Sequence, residues 1–341
     1  MSRGSMFFPR RQSAGFTLIE LMVAMLIGLI VIGGVTSVFL SNQQVYRSNK
    51  ALGDVQDSSR IAFEMMARDI RSAGMTGCDN SGRVANVLNN GPSKGGTTVW
   101  ANWANNVTGY TGTQAGAIST FGTGTTTPSN RVSGTEAVLL IGAQGSGYSI
   151  LTDSEPAATF TLNEATTDLA AGNIIIVCDP DHATVMQITG FATGTVTHAA
   201  SGTPGNCTTD SSYPTVCSSG NSYVFAPNAQ LAKVYVAEWY VGNSVDGTGA
   251  AIKSLFRTTL SDDGTSVTAA EMVPNVTNMS ITYLPTGNTD FVAASSVTNW
   301  LAVQSVRVTL TMESVDKRAG TDIKPISRSF TSTTTIRNRV N

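Results

Sequence analysis

Gly15-Phe16-Thr17-Leu18-Ile19-Glu20 opens an apolar run that continues from Leu21 to Leu40 with no charged residue. As a helix, a run of that length rises about 30 Å, the thickness of a bilayer's hydrocarbon core. Glu20 is the lone acid at its edge, four residues after Phe16, and Arg3, Arg10 and Arg11 lie ahead in a leader without acids. A secretory signal peptide would carry a small-residue cleavage site behind the apolar run. Here Val35-Thr36-Ser37-Val38-Phe39-Leu40 leads straight into polar sequence instead. The three arginines do predict a cytoplasmic N-terminus, as in a plain signal anchor. An anchor gives no reason for Glu20, since a charge costs roughly 2.5–3.5 kcal/mol at the membrane centre and less near the interface.

Beyond Leu40, the residues Val45, Leu52, Val55, Ala62, Met66, Ile70 and Ala73 recur at helical spacing, with charged residues between them. No proline falls between Pro9 and Pro92, and Gly74 with Gly77 offers a C-cap. The spacing therefore predicts one helix over about 16–76, apolar all round in its first half and amphipathic in its second. Gly28, Gly33 and Gly34 interrupt the apolar half. Two readings of them stay open: close packing against neighbouring helices, or a segment that loosens when subunits pack.

Residues 80–131 are rich in Gly, Thr and Asn around Trp100, Trp103 and Tyr110, and read as a long, exposed, flexible insertion. Its aromatics either anchor it to the head or form an interaction surface. Strand patterns then follow at Glu136–Gly142, Asn173–Cys178, Thr184–Thr189, Lys233–Trp239, Val276–Tyr283, Val306–Met312 and Ser327–Ile336. Strands after one long helix predict an α+β protein, a transmembrane stalk helix packed on a β-rich head. The pattern also suggests two β subdomains divided around Asn206–Asn221.

Only 13% of the residues are charged, and the formal net charge is −2. Loss of the leader's three arginines would leave 18 basic against 23 acidic side chains, or −5. That balance gives no footprint for nucleic acid. Four cysteines in an exported protein suggest disulfides. Cys207 and Cys217, ten apart, read as one pair, with Cys78 and Cys178 as the other. Four cysteines allow three connectivities, however, and free buried thiols are a further possibility.

The basic leader, the Gly15-Phe16 junction, Glu20 and the apolar helix together resemble the processing site of type IV prepilins. Further along, Arg68-Asp69-Ile70-Arg71-Ser72-Ala73-Gly74 with Gly77-Cys78 resembles the helix end of PilW-type minor pilins. So do Ala237-Glu238-Trp239-Tyr240, Ser254-Leu255-Phe256-Arg257, Met272-Val273-Pro274-Asn275-Val276, Trp300 with Val303–Val308, and the closing Thr335-Ile336-Arg337-Asn338-Arg339. The insertion at Asn80–Arg131 matches nothing in that pattern.

The resemblance implies cleavage between Gly15 and Phe16 by an inner-membrane prepilin peptidase, and methylation of the new Phe16 amine. It implies a leader 1–15, a pilin helix 16–76 with 16–40 in the membrane, and a periplasmic, then surface-exposed, head 77–341. The implied function is a minor pilin that primes type IV pilus assembly in or near the tip complex. Its partners would be other minor pilins, the major pilin, a tip adhesin, the peptidase and the inner membrane. Glu20 would set subunit register, because a carboxylate in an apolar filament core needs a partner and the adjacent Phe16 amine is a cation at matching depth. Two other readings stay open: a J-type minor pseudopilin of a type II secretion system, and a tip-located adhesive or DNA-uptake module.

No enzyme, cofactor or metal is expected. His182 and His198 show no ligand spacing, and Asp179-Pro180-Asp181-His182 lacks the closing Glu of a calcium loop and reads as a strand-connecting turn. Gly142-Ala143-Gln144-Gly145-Ser146-Gly147 lacks the Lys-Ser/Thr of a phosphate loop.

Overall fold

The computed structural model describes residues 15–78, 82–124, 130–218 and 222–339; the leader's Arg3, Arg10 and Arg11 lie outside them. Helix α1 spans Leu18–Ser72, 55 residues without a break. It ends where Gly74, at φ +73°, takes the left-handed conformation that closes a helix without a Cβ penalty. The chain divides into two compact units, the first running to Leu52 and including Asp316–Ile326, the second holding the rest.

In the first unit, apolar side chains stand exposed on every side of α1, among them Leu26, Ile30, Val35 and Phe39. A helix apolar all round belongs in a medium other than water. Among the described residues, α1 is the one helix long and apolar enough to cross a membrane. Near its end, Gln44 Nε2 donates to the carbonyls of Ala319 (3.1 Å) and Gly320 (3.0 Å), and Ser48 Oγ donates to that of Ala319. These bonds hold the loop Asp316–Ile326 on the helix.

The second unit contains two sheets. The larger has 13 strands: β1 (Val84–Asn86), β2 (Val107–Tyr110), β3 (Thr120–Phe121), β4 (Asn130–Arg131), β5 (Ala137–Ser154), β6 (Thr159–Leu162), β7 (Ile174–Cys178), β8 (Ala183–Gln187), β9 (Gly190–Ala192), β10 (Thr195–Thr197), β11 (Gln230–Val245), β12 (Ala251–Leu260) and β13 (Val267–Pro274). The smaller has four: β14 (Val276–Pro285), β15 (Val292–Ala293), β16 (Val303–Glu313) and β17 (Ser327–Thr335), ordered β15-β14-β16-β17. All seven strands expected from the sequence are present.

The expected division around Asn206–Asn221 is not. β11 lies after that loop, yet pairs antiparallel with β5 and β7, which lie before it. That pairing sews both halves into one sheet, and the break between sheets falls at Asn275, a φ +59° corner between β13 and β14.

The amphipathic half of α1 buries Val55, Ala62, Met66 and Ile70, with Ala73 just past its end, against both sheets: Val138, Leu140, Trp239 and Val241 of the larger, Met279, Ile281, Val306 and Val308 of the smaller. Leu139, Ile141, Val236 and Tyr240 alternate to the opposite face of the larger sheet. That face is covered by the segment after α1, through Leu88, Ala101, Trp103 and Tyr110. The segment expected to lie exposed is thus in part a layer of the core, around Leu88, Ala101, Trp103 and Tyr110, while residues 92–95 and 113–115 within it are exposed. Gly, Asn and Thr dilute its apolar residues enough to hide their period. Trp103 and Tyr110 anchor it, and they leave β11 buried on both faces rather than one.

Candidate processing and assembly site

Residues 15–20 are exposed, with Phe16 at 86%. Thr17 is the N-cap of α1. Its N–H and hydroxyl donate to Glu20 Oε2 at 3.2 and 3.0 Å, and the Glu20 N–H donates back to Thr17 Oγ1 at 3.3 Å. This is a capping box: the acid at the helix's third position and the Thr at its cap satisfy each other's orphan donors. A carboxylate in the first turn also meets the positive end of the helix dipole. Glu20 Oε1 has no hydrogen-bond partner among the described residues, while Phe16, Leu21, Ala24 and Met25 line the recess around it. The site thus presents a small residue at Gly15, an exposed Phe16, and one oxygen of a fixed carboxylate on an apolar wall.

A second polar construction lies at the other end of α1. Asp69 Oδ2 accepts from Trp239 Nε1 (2.8 Å) and from Arg257 Nε (2.7 Å). Ser72 Oγ lies 2.7 Å from the Tyr235 hydroxyl. Past the helix, Gly74 N–H donates to Ile141 O at 2.8 Å, and Ala73 forms a bridge with Gly142 of β5. A Cβ on Gly142 would stand 2.8 Å from the Ser72 carbonyl oxygen and 2.6 Å from the Tyr235 ring, so only glycine permits this approach. From the C-terminal side, Asn338 Nδ2 donates to Gly74 O (2.7 Å), and Arg339 Nη1 donates to Trp300 O (2.6 Å) and Val303 O (2.9 Å). Burial pulls Arg339 down to about 10.

On the face of β11 away from α1, Glu238 is fully buried and accepts from Ile118 N–H (2.8 Å) and from the Ser119 N–H and hydroxyl. Burial pushes its carboxyl up, and those donors and Arg131 pull the other way. Arg131 is itself buried and donates to the carbonyls of Thr111 (2.7 Å), Gln114 (2.9 Å) and Thr135. The sequence singled out Glu238 and Asp69 only as parts of a family pattern; nothing in their spacing announces their partners.

Cys78 bonds to Cys178 and Cys207 to Cys217, and no described cysteine is free. Asp179–His182 is the β7–β8 turn, in which Asp179 Oδ1 accepts from Asp181 N–H (2.9 Å) and His182 N–H (3.2 Å). His182 Nε2 donates to Ser211 O at 2.7 Å. His198 stands elsewhere, beside Asp153 and Glu155; burial pulls it down to about 4, pushes Asp153 up to about 6 and, with help from Asp153, pushes Glu155 up to about 7.

Residues 10–36 match the prokaryotic N-terminal methylation motif, and residues 238–338 match the type IV pilus-assembly protein W family (PilW). No curated protein and no solved structure matches the chain. The methylation motif on a membrane-length apolar helix fits a membrane-anchored pilin. Taken with the second match, it supports a PilW-like type IV pilin, a structural rather than enzymatic family.

Proposed function

We propose that this chain is a minor pilin that primes type IV pilus assembly and sits in or near the pilus tip complex. The observation that carries this reading is the Thr17–Glu20 capping box on the exposed apolar half of α1. Before assembly the helix lies in the inner membrane, with a cytoplasmic leader of residues 1–15 and a periplasmic head. Prepilin peptidase cuts between Gly15 and Phe16, where the missing side chain of Gly15 opens the scissile bond to approach, and methylates the Phe16 amine.

In the filament, the free Glu20 Oε1 accepts from the Phe16 ammonium of an adjacent subunit. A subunit shifted along the axis would leave both charges in an apolar core without partners, a cost of several kcal/mol. Register is therefore set by two charges and enforced by desolvation. The head meets other minor pilins, the major pilin and a tip adhesin. A deletion strain tests the assignment: pili are lost while type II secretion stays intact. Loss of secretion with normal pili would instead make the chain a J-type pseudopilin. Crosslinking of the membrane-bound protein should recover other pilins.

A further inference from the structure

Asp153 ends β5 but for one residue, Glu155 opens the turn Glu155–Ala157, and His198 follows β10. β6 pairs with both β5 and β10, placing Phe160 opposite Asp153 on one side and Val196 on the other. His198 N–H donates to Ala158 O at 2.9 Å, and its ring stacks on Phe160 with centroids 4.3 Å apart. Phe225 N–H holds Asp153 Oδ2 at 2.7 Å. Two parts of the chain far apart in sequence, Asp153 with Glu155 and His198, are thereby brought to one point. One ligand-capable atom from each residue lies within 4.8 Å of the others.

Every one of the three also has an orphaned atom. Asp153 Oδ1, Glu155 Oε1 and His198 Nε2 are shut off from solvent without a hydrogen-bond partner, as is Ser211 Oγ. Glu155 is 7% exposed and His198 1%. Leaving a buried polar atom unpaired costs about 1–3 kcal/mol, and more for a charged group. Among the described residues no lysine or arginine forms an ion pair with either carboxylate. The three orphans share one remedy, a cation between them.

We propose that Asp153, Glu155 and His198 bind a divalent transition-metal ion, Zn2+ by the chemistry of the donor set. Calcium and magnesium prefer oxygen alone, whereas one imidazole nitrogen with two carboxylate oxygens suits zinc. Zinc takes these ligands at about 2.0–2.2 Å, so a small inward movement of the three groups completes the site. Three protein ligands leave a fourth position for water or the Ser211 hydroxyl. Ser211 lies in the loop closed by the Cys207–Cys217 bond, and its carbonyl is held by His182 Nε2 and Thr184 Oγ1, both at 2.7 Å. The ion would tie the β5–β6 and β10 corner to that stapled loop. Its role is structural, and it stands apart from the pilus assignment.

The test uses the full-length protein in detergent, stripped with a chelator and dialysed against Zn2+. Elemental analysis should return one equivalent per chain, and added Zn2+ should raise the unfolding temperature reversibly. Co2+ in its place should give the visible absorption of a low-coordinate site. Glu155→Gln and His198→Gln should each weaken Zn2+ binding by about tenfold or more, since even outer-shell partners are worth 10–100-fold. Should a variant fail to fold, the wild-type unfolding shift and Co2+ spectrum decide alone. An unfolding temperature indifferent to Zn2+, or uptake equal in wild type and folded variants, overturns the site.

Discussion

Asp69→Ala removes the acceptor that ties the last turns of α1 to two strands of the larger sheet. Trp239 Nε1 and Arg257 Nε both point at one oxygen, at 2.8 and 2.7 Å. The side chains of Asp69 and Arg257 are 13% and 28% exposed, so solvent screens the pair only in part. Trp239 is 1% exposed, and its indole N–H would be left without a partner. Hydrogen bonds to charged groups contribute about 1.5–3 kcal/mol each, and partial exposure trims the sum to about 3 kcal/mol. At roughly 2–4 °C per kcal/mol for a domain of this size, the unfolding midpoint should fall by about 6–12 °C. Asp69→Asn keeps an acceptor for Trp239 and loses the charge, so its drop should be about half as large. Thermal melts of the detergent-solubilised chain, followed by tryptophan fluorescence, measure both. A double-mutant cycle with Arg257→Ala should return a coupling of about 1 kcal/mol or more. An Asp69→Ala midpoint within error of wild type would mean the helix is held by its apolar face alone, and the reasoning fails.

Gly15 replaced by leucine should leave an uncut precursor, visible in the intact mass; a mature mass starting at Phe16 would refute the need for glycine at the scissile bond. Glu20→Ala should leave cleavage intact and weaken filament incorporation, while loss of the capping box costs the helix start about 1 kcal/mol. Immunogold counts on sheared pili read the incorporation, and normal counts would discard the register role. The two disulfides should differ in worth, because their bonds close chain separations of 100 and 10 residues. In the chain-entropy model, Cys78→Ser with Cys178→Ser costs about 5 kcal/mol, and Cys207→Ser with Cys217→Ser about 3 kcal/mol. Urea unfolding ranks them, and equal losses would show that loop length does not govern here.

The helix and the main strands were legible because each carries a period. Val55, Ala62, Met66 and Ile70 repeat on one face of α1, and Val306, Val308, Leu310 and Met312 on one face of β16. β12 and β13 escaped, since Ser, Thr and Ala dilute their apolar residues, although Asp263-Gly264 between them is a turn signal. The layer over the outer face of β11 was invisible for a similar reason. Its burial comes from a few large residues, Trp103 above all, set among Gly and Asn. The Asp153–Glu155–His198 group could not be read at all, because strand pairing and not spacing brings it together. Only Asp153 and Glu155 are neighbours in sequence, and two acids near a turn carry no signal.

What the fold adds is a division of labour between the stretch that matches PilW and the stretch that does not. The matched region runs from Glu238 to Asn338. Near one end Trp239 donates to Asp69, and at the other Asn338 donates to Gly74 O at 2.7 Å. Arg257, within it, completes the ion pair with Asp69. The matched region therefore clasps the end of α1 from the larger sheet on one side and from the C-terminal turn Arg337–Arg339 on the other. Described residues ahead of the match share in that hold, through Ile141, Gly142 and Tyr235, and others among them cover the outer face of β11 and build the corner around Asp153. Substitutions in the first region should move the helix end and with it stability. Exposed substitutions in the second should leave the unfolding midpoint near wild type and act on whatever the head meets. A clasp built from buried polar contacts tolerates little change, and the same holds for β5, whose Gly142 meets the helix end, whereas exposed positions of the covering layer can vary without disturbing the helix beneath.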